Sequence, residues 1–279
     1  MRCEPLVNDV EARKKKGIGN RITNTIYMQL KVIAHARNGF SQKFGIPRQS
    51  REDSCIETHI IFTPAYRVRE ALRGIEDYSH LWLLWGFHKA YPHPLLEGKG
   101  EEDDEVMRLR GDEVISKDSW SPTVRPPRLG GNKRMGVFAT RSPFRPNPIG
   151  LTSVKLLRIE ETQDNGLVLV VSGADVLDGT PIYDIKPYLA FSDSHPQAKS
   201  GFAEITQDYH LQVEIDDTLL AQSLRKGCPW GAIREILSQD PRPAYQNDSE
   251  RIYHMDYANW KVDFIVDSST LYVRKIEEN

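Results

Sequence analysis

Residues 149–172 read IGLTSVKLLRIEETQDNGLVLVVS, and this stretch indicates the fold class. Its two runs of branched and apolar residues, Ile149–Ile159 and Leu167–Ser172, predict strands. Between them stands Asn165-Gly166, a dipeptide that favours a tight turn joining antiparallel strands. We therefore expect a β-hairpin here that forms part of an antiparallel sheet.

Similar runs elsewhere extend this sheet. Further strands are expected at Tyr27–Ala36, Glu57–Thr63, Tyr78–Phe87 and Met135–Thr140. Only a short helix at Tyr66–Leu72, stopped by Gly74, is expected between them. Because helices are scarce among the strands, the pattern favours a small β-barrel or antiparallel sheet over an alternating βα fold.

The pattern changes from about residue 193. We expect a strand at Phe202–Ile215, helices at Asp217–Lys226 and Pro229–Leu237, and a hairpin made by Val262–Val266 and Leu271–Lys275. The chain is thus predicted to be mainly β, with a small barrel domain at 27–192 and a smaller α+β domain at 193–279.

Two segments fall outside these predicted domains. Residues 1–26 are an N-terminal extension with the basic run Arg13-Lys14-Lys15-Lys16, for which a solvated tail is favoured over an RNA contact. Residues 91–118 are expected to be an acidic surface insertion, since nine acidic residues lie between Glu97 and Asp118.

The overall composition is that of an ordinary globular protein, with 39% hydrophobic and 27% charged residues and a formal net charge of -2. No apolar run reaches the roughly 20 residues that span a bilayer. The charged N-terminus does not resemble a secretory signal. The three cysteines have no metal-ligand spacing. We expect a cytoplasmic protein without a metal or a membrane partner.

The segment from Ser121 to Gly150 differs from this average. It contains six basic residues and no acidic one. It is also rich in proline and glycine, which restrict the backbone of a loop. A fixed cationic loop in a near-neutral chain predicts a site for an anionic partner.

Part of this segment, RMGVFATRSPFRPNPIGLT at residues 134–152, resembles the signature of the TrmO family. Four further segments match in the same order: PRQ at 47–49, GIEDYSHLW at 74–82, DVLDGTPIYDIKPYL at 175–189 and QDPRPAY at 239–245. The resemblance implies an S-adenosylmethionine-dependent methyltransferase that acts on threonylcarbamoyl-adenosine beside the anticodon of threonine tRNA. It also implies a small β-barrel that binds the cofactor near the interface of a homodimer.

The resemblance further implies which positions contact the cofactor. They are Pro47, Arg48, Gln49, His88, Lys89, Arg141, Leu151, Ala174, Asp175, Val176, Leu177 and Asp178. Several have alternatives. Arg141 suits the cofactor carboxylate, an RNA phosphate or a surface ion pair. Asp175 and Asp178 are also suited to capping the turn at Gly179, and His88 to a place in the core.

The acceptor implied by the resemblance is a weakly nucleophilic exocyclic amine. Asn147 is the first candidate to orient it, because the flanking Pro146 and Pro148 restrict its backbone. The alternative is that Asn147 only shapes a turn. Asp184 and Lys186 are further candidates for contact with the threonyl part of the substrate.

The expected tRNA surface consists of basic and aromatic residues. It includes Arg125, Arg128, Lys133, Arg134, Arg145, Arg242 and Tyr245, with Trp260 as a further stacking candidate. Two rival functions remain open, an RNA-binding module without catalysis and a methyltransferase of this fold acting on a protein or a small molecule. A hydrolase is disfavoured, because no Ser-His-Asp grouping is evident.

Overall fold

The computed structural model describes residues 29–47, 54–89, 121–126, 133–206, 210–242 and 248–279, and no side chain is described at 205 and 206. Several sequence predictions lie outside the described residues. They concern the extension 1–26, the insertion 91–118, Arg48, Gln49, Arg128 and Tyr245.

Six strands form the main sheet. They are β1 (Ala34–Arg37), β2 (Glu57–Phe62), β3 (His80–Gly86), β6 (Ile149–Thr162), β7 (Gly166–Ser172) and β8 (Pro181–Pro187). All pairs are antiparallel, in the order β1-β2-β7-β6-β3-β8, and β8 pairs with β1 to close the sheet on itself. Two short strands, β4 (Thr123–Val124) and β5 (Met135–Gly136), pair separately.

Strand alternation explains the interior of the closed sheet. Successive side chains of a strand point to opposite faces, so every second residue faces the core. In β3 these are Leu81, Leu83 and Trp85, which are buried between half-exposed neighbours. The predicted hairpin between β6 and β7 is confirmed, with Gly166 at a φ of 64° in its turn. The expected mainly β fold is therefore confirmed.

Two local predictions in this part of the chain were wrong. The segment predicted as a helix at Tyr66–Leu72 forms separate 3-10 turns, Pro64–Tyr66 and Arg69–Leu72, followed by another at Ile75–Asp77. The strand predicted at Met135–Thr140 stops after Gly136 and continues as a 3-10 turn, in which Val137 is buried. Both segments are short and lie next to the closed sheet. Their tertiary contacts therefore outweigh their local propensity.

The C-terminal region combines helices with a second sheet. The helices are α1 (Ala190–Asp193), α2 (Asp217–Arg225) and α3 (Trp230–Ser238), and the strands are β9 (Gln212–Glu214), β10 (Tyr253–Tyr257), β11 (Trp260–Asp267) and β12 (Thr270–Glu278). The sheet order is β10-β11-β12-β9. Asp216 caps α2, because its side chain accepts hydrogen bonds from the backbone N–H groups of Thr218 and Leu219.

Residues from the connections between strands of the main sheet also enter the core of this region. Phe40, Ile56 and Leu177 pack in the same cluster as the apolar residues of α3 and of β10–β12. The backbone N–H of Ala258 donates to the carbonyl of Gly39 over 2.7 Å. The C-terminal sheet therefore packs against the connections that follow β1 and β7. The limits of the two predicted domains stay a prediction.

Within the described part of the chain, no helix has the length and apolar character needed to cross a membrane.

Candidate active site

One end of the closed sheet collects the segments singled out by the sequence. Strands end or begin there at Arg37, Glu57, Gly86, Ile149, Ser172 and Pro181. The register fixes this arrangement, because Glu57 lies opposite Ser172 and Gly86 lies opposite Ile149. The connecting residues 38–47, 54–56, 87–89, 141–148 and 173–180 consequently share this end.

A buried carboxylate lies at the centre of these connections. The Asp175 Oδ1 atom accepts a hydrogen bond of 2.6 Å from Thr152 Oγ1, and Thr152 Oγ1 accepts one of 2.9 Å from Trp85 Nε1. Burial raises the pKa of Asp175, while the Thr152 hydrogen bond, the residue's own backbone amide and the charge of Arg141 lower it. The sequence analysis did not single out Thr152 or Trp85.

Arg141 supplies the positive charge that acts on this carboxylate. Its side chain lies on the exposed loop before β6. Its positive charge lowers the pKa of the Asp175 carboxyl group, as the smallest of the effects that act on it. The structure thus brings together two residues that are 34 positions apart and that suit opposite charges of one zwitterionic ligand.

Asp178 has a structural task in the same connection. Its Oδ2 atom pairs with Arg37 Nη1 at 3.1 Å, and its Oδ1 atom accepts from the backbone N–H of Asn38 at 3.0 Å. Gly179 follows with a φ of 78°, which only glycine adopts without strain. The side chain of Asp178 therefore ties this connection to Arg37 at the end of β1 and to Asn38, and both a cofactor contact and a capping role at Gly179 stay predictions.

Three residues close to Asp175 in the sequence have side chains buried in the apolar cores. Ala174, Val176 and Leu177 are buried, the first two among the apolar residues of the closed sheet and the third in the C-terminal core. The Val176 carbonyl accepts a hydrogen bond of 3.0 Å from Asn38 Nδ2. The side chains of these residues therefore face the cores, and the carbonyls of Val176 and Leu177 already accept hydrogen bonds within the protein.

His88 follows β3 and is half-buried at the same end. Its Nδ1 atom lies 3.5 Å from Thr180 Oγ1. Burial, followed by the positive charges of Lys89 and other neighbours, lowers the pKa of His88, so the ring is neutral at pH 7. Lys89 is exposed, and its carbonyl accepts a hydrogen bond of 2.5 Å from Lys43 Nζ, which joins this segment to the connection that carries Pro47.

Asn147 lies in a bend next to His88. The backbone N–H of Ile149 donates to the Asn147 carbonyl over 2.7 Å, and the N–H of Phe87 donates to the Pro148 carbonyl over 3.0 Å. The bend is thereby attached to the end of β3, while the Asn147 side chain remains exposed. This position is compatible with both the orienting role and the turn-shaping alternative.

Three of the expected site residues lie on the face of the sheet opposite to that of Thr152. They are Leu151, Asp184 and Lys186. Thr152 lies opposite Leu83 on the buried face, whereas Leu151 lies opposite Leu84 and is 55% exposed. Asp184 also lies opposite Leu84, and its Oδ2 atom pairs with Lys186 Nζ at 2.7 Å. The structure does not bring these three side chains to the face of Asp175, because neighbouring positions of a strand alternate between faces.

The segment Ser121–Gly150, called the basic loop from here on, includes both charged and aromatic side chains among its described residues. Arg134 is held on β4 by a hydrogen bond of 2.8 Å from its Nε atom to Thr123 Oγ1, and Arg145 Nη1 donates to the Thr140 carbonyl over 3.2 Å. Arg125 and Lys133 are exposed. Phe138 and Phe144 are also exposed, by 70% and 43%. These two rings were not among the expected RNA contacts, although aromatic residues between arginines are typical of surfaces that stack with unpaired bases.

The expected RNA contacts of Arg242 and Trp260 need correction. Arg242 is 6% exposed, and its Nε and Nη2 atoms donate to Asp240 Oδ1 and Oδ2 over 2.8 and 2.9 Å. Its guanidinium also lies 5.9 Å from the centre of the Tyr253 ring. Trp260 is 2% exposed in the C-terminal core. Both side chains are packed in the interior of the protein, where RNA cannot contact them in this structure.

Two other possible sites have little support. Among the described residues, no group of three or more His, Cys, Asp or Glu side chains is arranged to hold a metal ion. A cavity of about 110 Å³ lies at the other end of the closed sheet, next to Phe62, Glu161 and Leu167. It is well below the roughly 300–1,000 Å³ of small-molecule sites.

Comparison with known proteins accounts for both parts of the chain. Residues 35–194 match the family model of the tRNA-methyltransferase O N-terminal domain, and residues 208–279 match that of the TrmO C-terminal domain. The Escherichia coli K12 protein named tRNA (adenine(37)-N6)-methyltransferase is 38% identical over 242 residues, which are 85% of this chain and 91% of that protein.

A protein sequence and a solved structure, both from Pseudomonas aeruginosa, extend the comparison. One, whose name describes an S-adenosylmethionine-dependent methyltransferase, is 38% identical over 219 residues, covering 77% of this chain and 81% of that protein. The other is the crystal structure of TrmO, with a TM-score of 0.65, 27% identity, and coverage of 90% of this chain and 100% of that chain. The chain therefore belongs to the tRNA-methyltransferase O family.

Proposed function

We propose that this protein is an S-adenosylmethionine-dependent tRNA methyltransferase that methylates N6 of adenosine 37, beside the anticodon. The observation that carries the proposal is the match to both domains of the family, with a relative of that name aligned over most of both chains. We further propose that the adenosine is threonylcarbamoylated and belongs to threonine tRNA, as the resemblance implies.

The end of the closed sheet fits S-adenosylmethionine. This cofactor has a carboxylate, an ammonium group, ribose hydroxyls and an adenine. Arg141 suits the carboxylate, and Asp175 suits an ammonium or hydroxyl group. The backbone of residues 174–178, with apolar side chains packed behind it, suits the adenine. When bound, the cofactor supplies the methyl group that is transferred.

The residues of the chain contribute mainly by positioning. In-line transfer requires the acceptor nitrogen to approach the methyl group from one direction, and fixing that geometry supplies much of the rate. We assign to Asn147 the task of accepting a hydrogen bond from the acceptor amine. Its bend is attached to β3 beside His88, so its side chain can reach a base that enters from the basic loop.

The basic loop is the proposed tRNA surface. Arg125, Lys133, Arg134 and Arg145 suit phosphate oxygens, and Arg128 joins them by sequence. The exposed rings of Phe138 and Phe144 suit stacking with unpaired bases. An adenosine in a loop leaves its stack at a lower cost than a paired one, which favours access to the site.

We also propose a homodimer. This assembly is implied by the resemblance, and Leu151 and Leu157, which are 55% and 40% exposed on β6, are candidates for its interface. Analytical ultracentrifugation tests this proposal, since a monomer at micromolar concentration would contradict it. With tRNA as the substrate, the cytoplasm is the expected location.

The function is tested by incubating the purified protein with S-adenosylmethionine and tRNA and analysing the nucleosides by mass spectrometry. The proposal predicts one added methyl group on threonylcarbamoyl-adenosine of threonine tRNA. Tight tRNA binding without cofactor binding or methylation would instead indicate an RNA-binding module. Cofactor binding without methylation of any tRNA would favour a protein or small-molecule substrate.

A further inference from the structure

Two residues hold the Asp175 carboxylate in place from inside the closed sheet. Thr152 is buried on β6, and Trp85 is buried on β3, which pairs with β6. Trp85 lies opposite Gly150 and reaches diagonally across to Thr152, two positions further along the same face. The three side chains form a continuous hydrogen-bonded chain of 2.9 and 2.6 Å that ends at Asp175 Oδ1.

The direction of this chain of hydrogen bonds follows from the chemistry of its members. The indole N–H of Trp85 is a donor only, so Thr152 Oγ1 must accept from it. The single hydroxyl proton of Thr152 then lies in the other hydrogen bond and is donated to Asp175 Oδ1. A carboxylate oxygen accepts this bond more strongly than an oxygen of the neutral acid does. The chain therefore favours the charged form of Asp175 at a place where burial disfavours it.

We infer that Thr152 and Trp85 are positioning residues, which fix the Asp175 carboxylate through Oδ1 and leave Oδ2 for a hydroxyl or ammonium group of the cofactor. The inference rests on the proposed cofactor site. It assigns a role to two residues that do not touch the cofactor themselves. Gly150 belongs to the same arrangement, because any side chain at this position would overlap the Trp85 indole ring.

The test uses Thr152→Val, which keeps the shape of the side chain and removes the hydroxyl group. Thr152→Ser restores the hydroxyl. The control is Ser172→Ala on β7, which removes a buried hydroxyl that has no hydrogen-bond partner in the described structure. Affinity for S-adenosylmethionine is measured by calorimetry, and affinity for the stable product S-adenosylhomocysteine is measured from pH 5 to 8.

We expect Thr152→Val to weaken cofactor binding by about tenfold or more, the usual effect of losing a hydrogen bond to a charged group. Losing this donor also raises the pKa of Asp175. Arg141 is the charged group that acts on Asp175, and it is unchanged in the variant. The pH below which binding is lost should therefore move upward by about one unit. Thr152→Ser and Ser172→Ala should both resemble the wild type.

The possible results separate the inference from the proposed function. If the wild-type protein binds the cofactor and Thr152→Val binds with the same affinity and pH dependence, the inference is wrong and the proposed function stands. A weaker affinity with an unchanged pH midpoint would also contradict it, because that result indicates only altered packing. If the folded wild-type protein binds no cofactor, with or without tRNA, the proposed site and this inference both fail.

Discussion

Replacing Gly150 by alanine tests the packing that places Trp85. A Cβ atom at this position would lie 2.6 Å from Trp85 Cδ2 and closer still to two other ring atoms. Because carbon atoms normally approach to about 3.5–4.0 Å, the overlap is roughly 1 Å. The indole cannot easily move away, since it bonds to Thr152 and its ring centre lies 4.3 Å from that of Phe87.

Overpacking a core usually costs about 1–3 kcal/mol of unfolding free energy, and this confined position should be near 3 kcal/mol. For a chain of this size, that corresponds to a decrease in Tm of roughly 6–12 °C. The same displacement should weaken cofactor binding, because it disturbs the hydrogen bond from Trp85 to Thr152. Calorimetry measures both quantities on the same preparation.

Gly136→Ala is the matched control for this variant. An added Cβ there has no atom within 4 Å, and the φ of -57° is accessible to alanine. Its unfolding free energy should change by no more than about 0.5 kcal/mol. If Gly150→Ala proved as stable as Gly136→Ala and bound the cofactor like the wild type, the proposed arrangement of Trp85 would be refuted.

The remaining predictions use four single variants. Arg141→Ala should abolish measurable cofactor binding in calorimetry while the protein stays folded, and retained affinity would exclude Arg141 from the site. Asn147→Ala should lower kcat more than cofactor affinity, whereas equal losses would indicate a turn-shaping role. Asp175 has a raised pKa in the folded state, so its contribution to stability is present at low pH and lost as the pH rises through that value. Asp175→Asn should therefore weaken cofactor binding without lowering the unfolding free energy at pH 7, and a large destabilisation would contradict this. Arg242→Ala should lower the unfolding free energy by about 1.5–3 kcal/mol, because it removes the two charge-assisted hydrogen bonds from the Arg242 guanidinium to Asp240. Its folded form should keep wild-type tRNA affinity in a filter-binding assay, and a selective loss of that affinity would restore Arg242 to the RNA surface.

Much of the fold was predictable where local patterns agreed with tertiary packing. The hairpin at Asn165-Gly166 and helices α2 and α3 are examples, because turn residues and caps act locally. The strand expected at Phe202–Ile215 shows the opposite case, because Gly201–Thr206 form a 3-10 helix and, among the described residues of the segment, Gln212–Glu214 pair in parallel with β12. Strand β10 was not predicted at all, although Tyr253–Tyr257 alternates between buried and exposed positions.

The segments that form the candidate site were predictable from the sequence, but the contacts between their side chains were not. The resemblance identified the loops, and strand order then decided which of their side chains meet. Trp85 and Thr152 are 67 positions apart, and only the β3–β6 register brings them together. Arg242, which lies between two prolines, resembled a phosphate contact by residue type. Its burial depends on Asp240 and Tyr253, which the sequence pattern does not reveal.

We propose that the cofactor binds where the connections of the closed sheet meet. Hydrogen–deuterium exchange with and without saturating S-adenosylmethionine tests it most directly, because it locates the protected backbone. We predict slower exchange in peptides covering 86–89, 147–152 and 174–179, with no change at 64–77 at the other end of the sheet. Saturable binding with protection confined to 64–77 or to the C-terminal sheet would contradict the account.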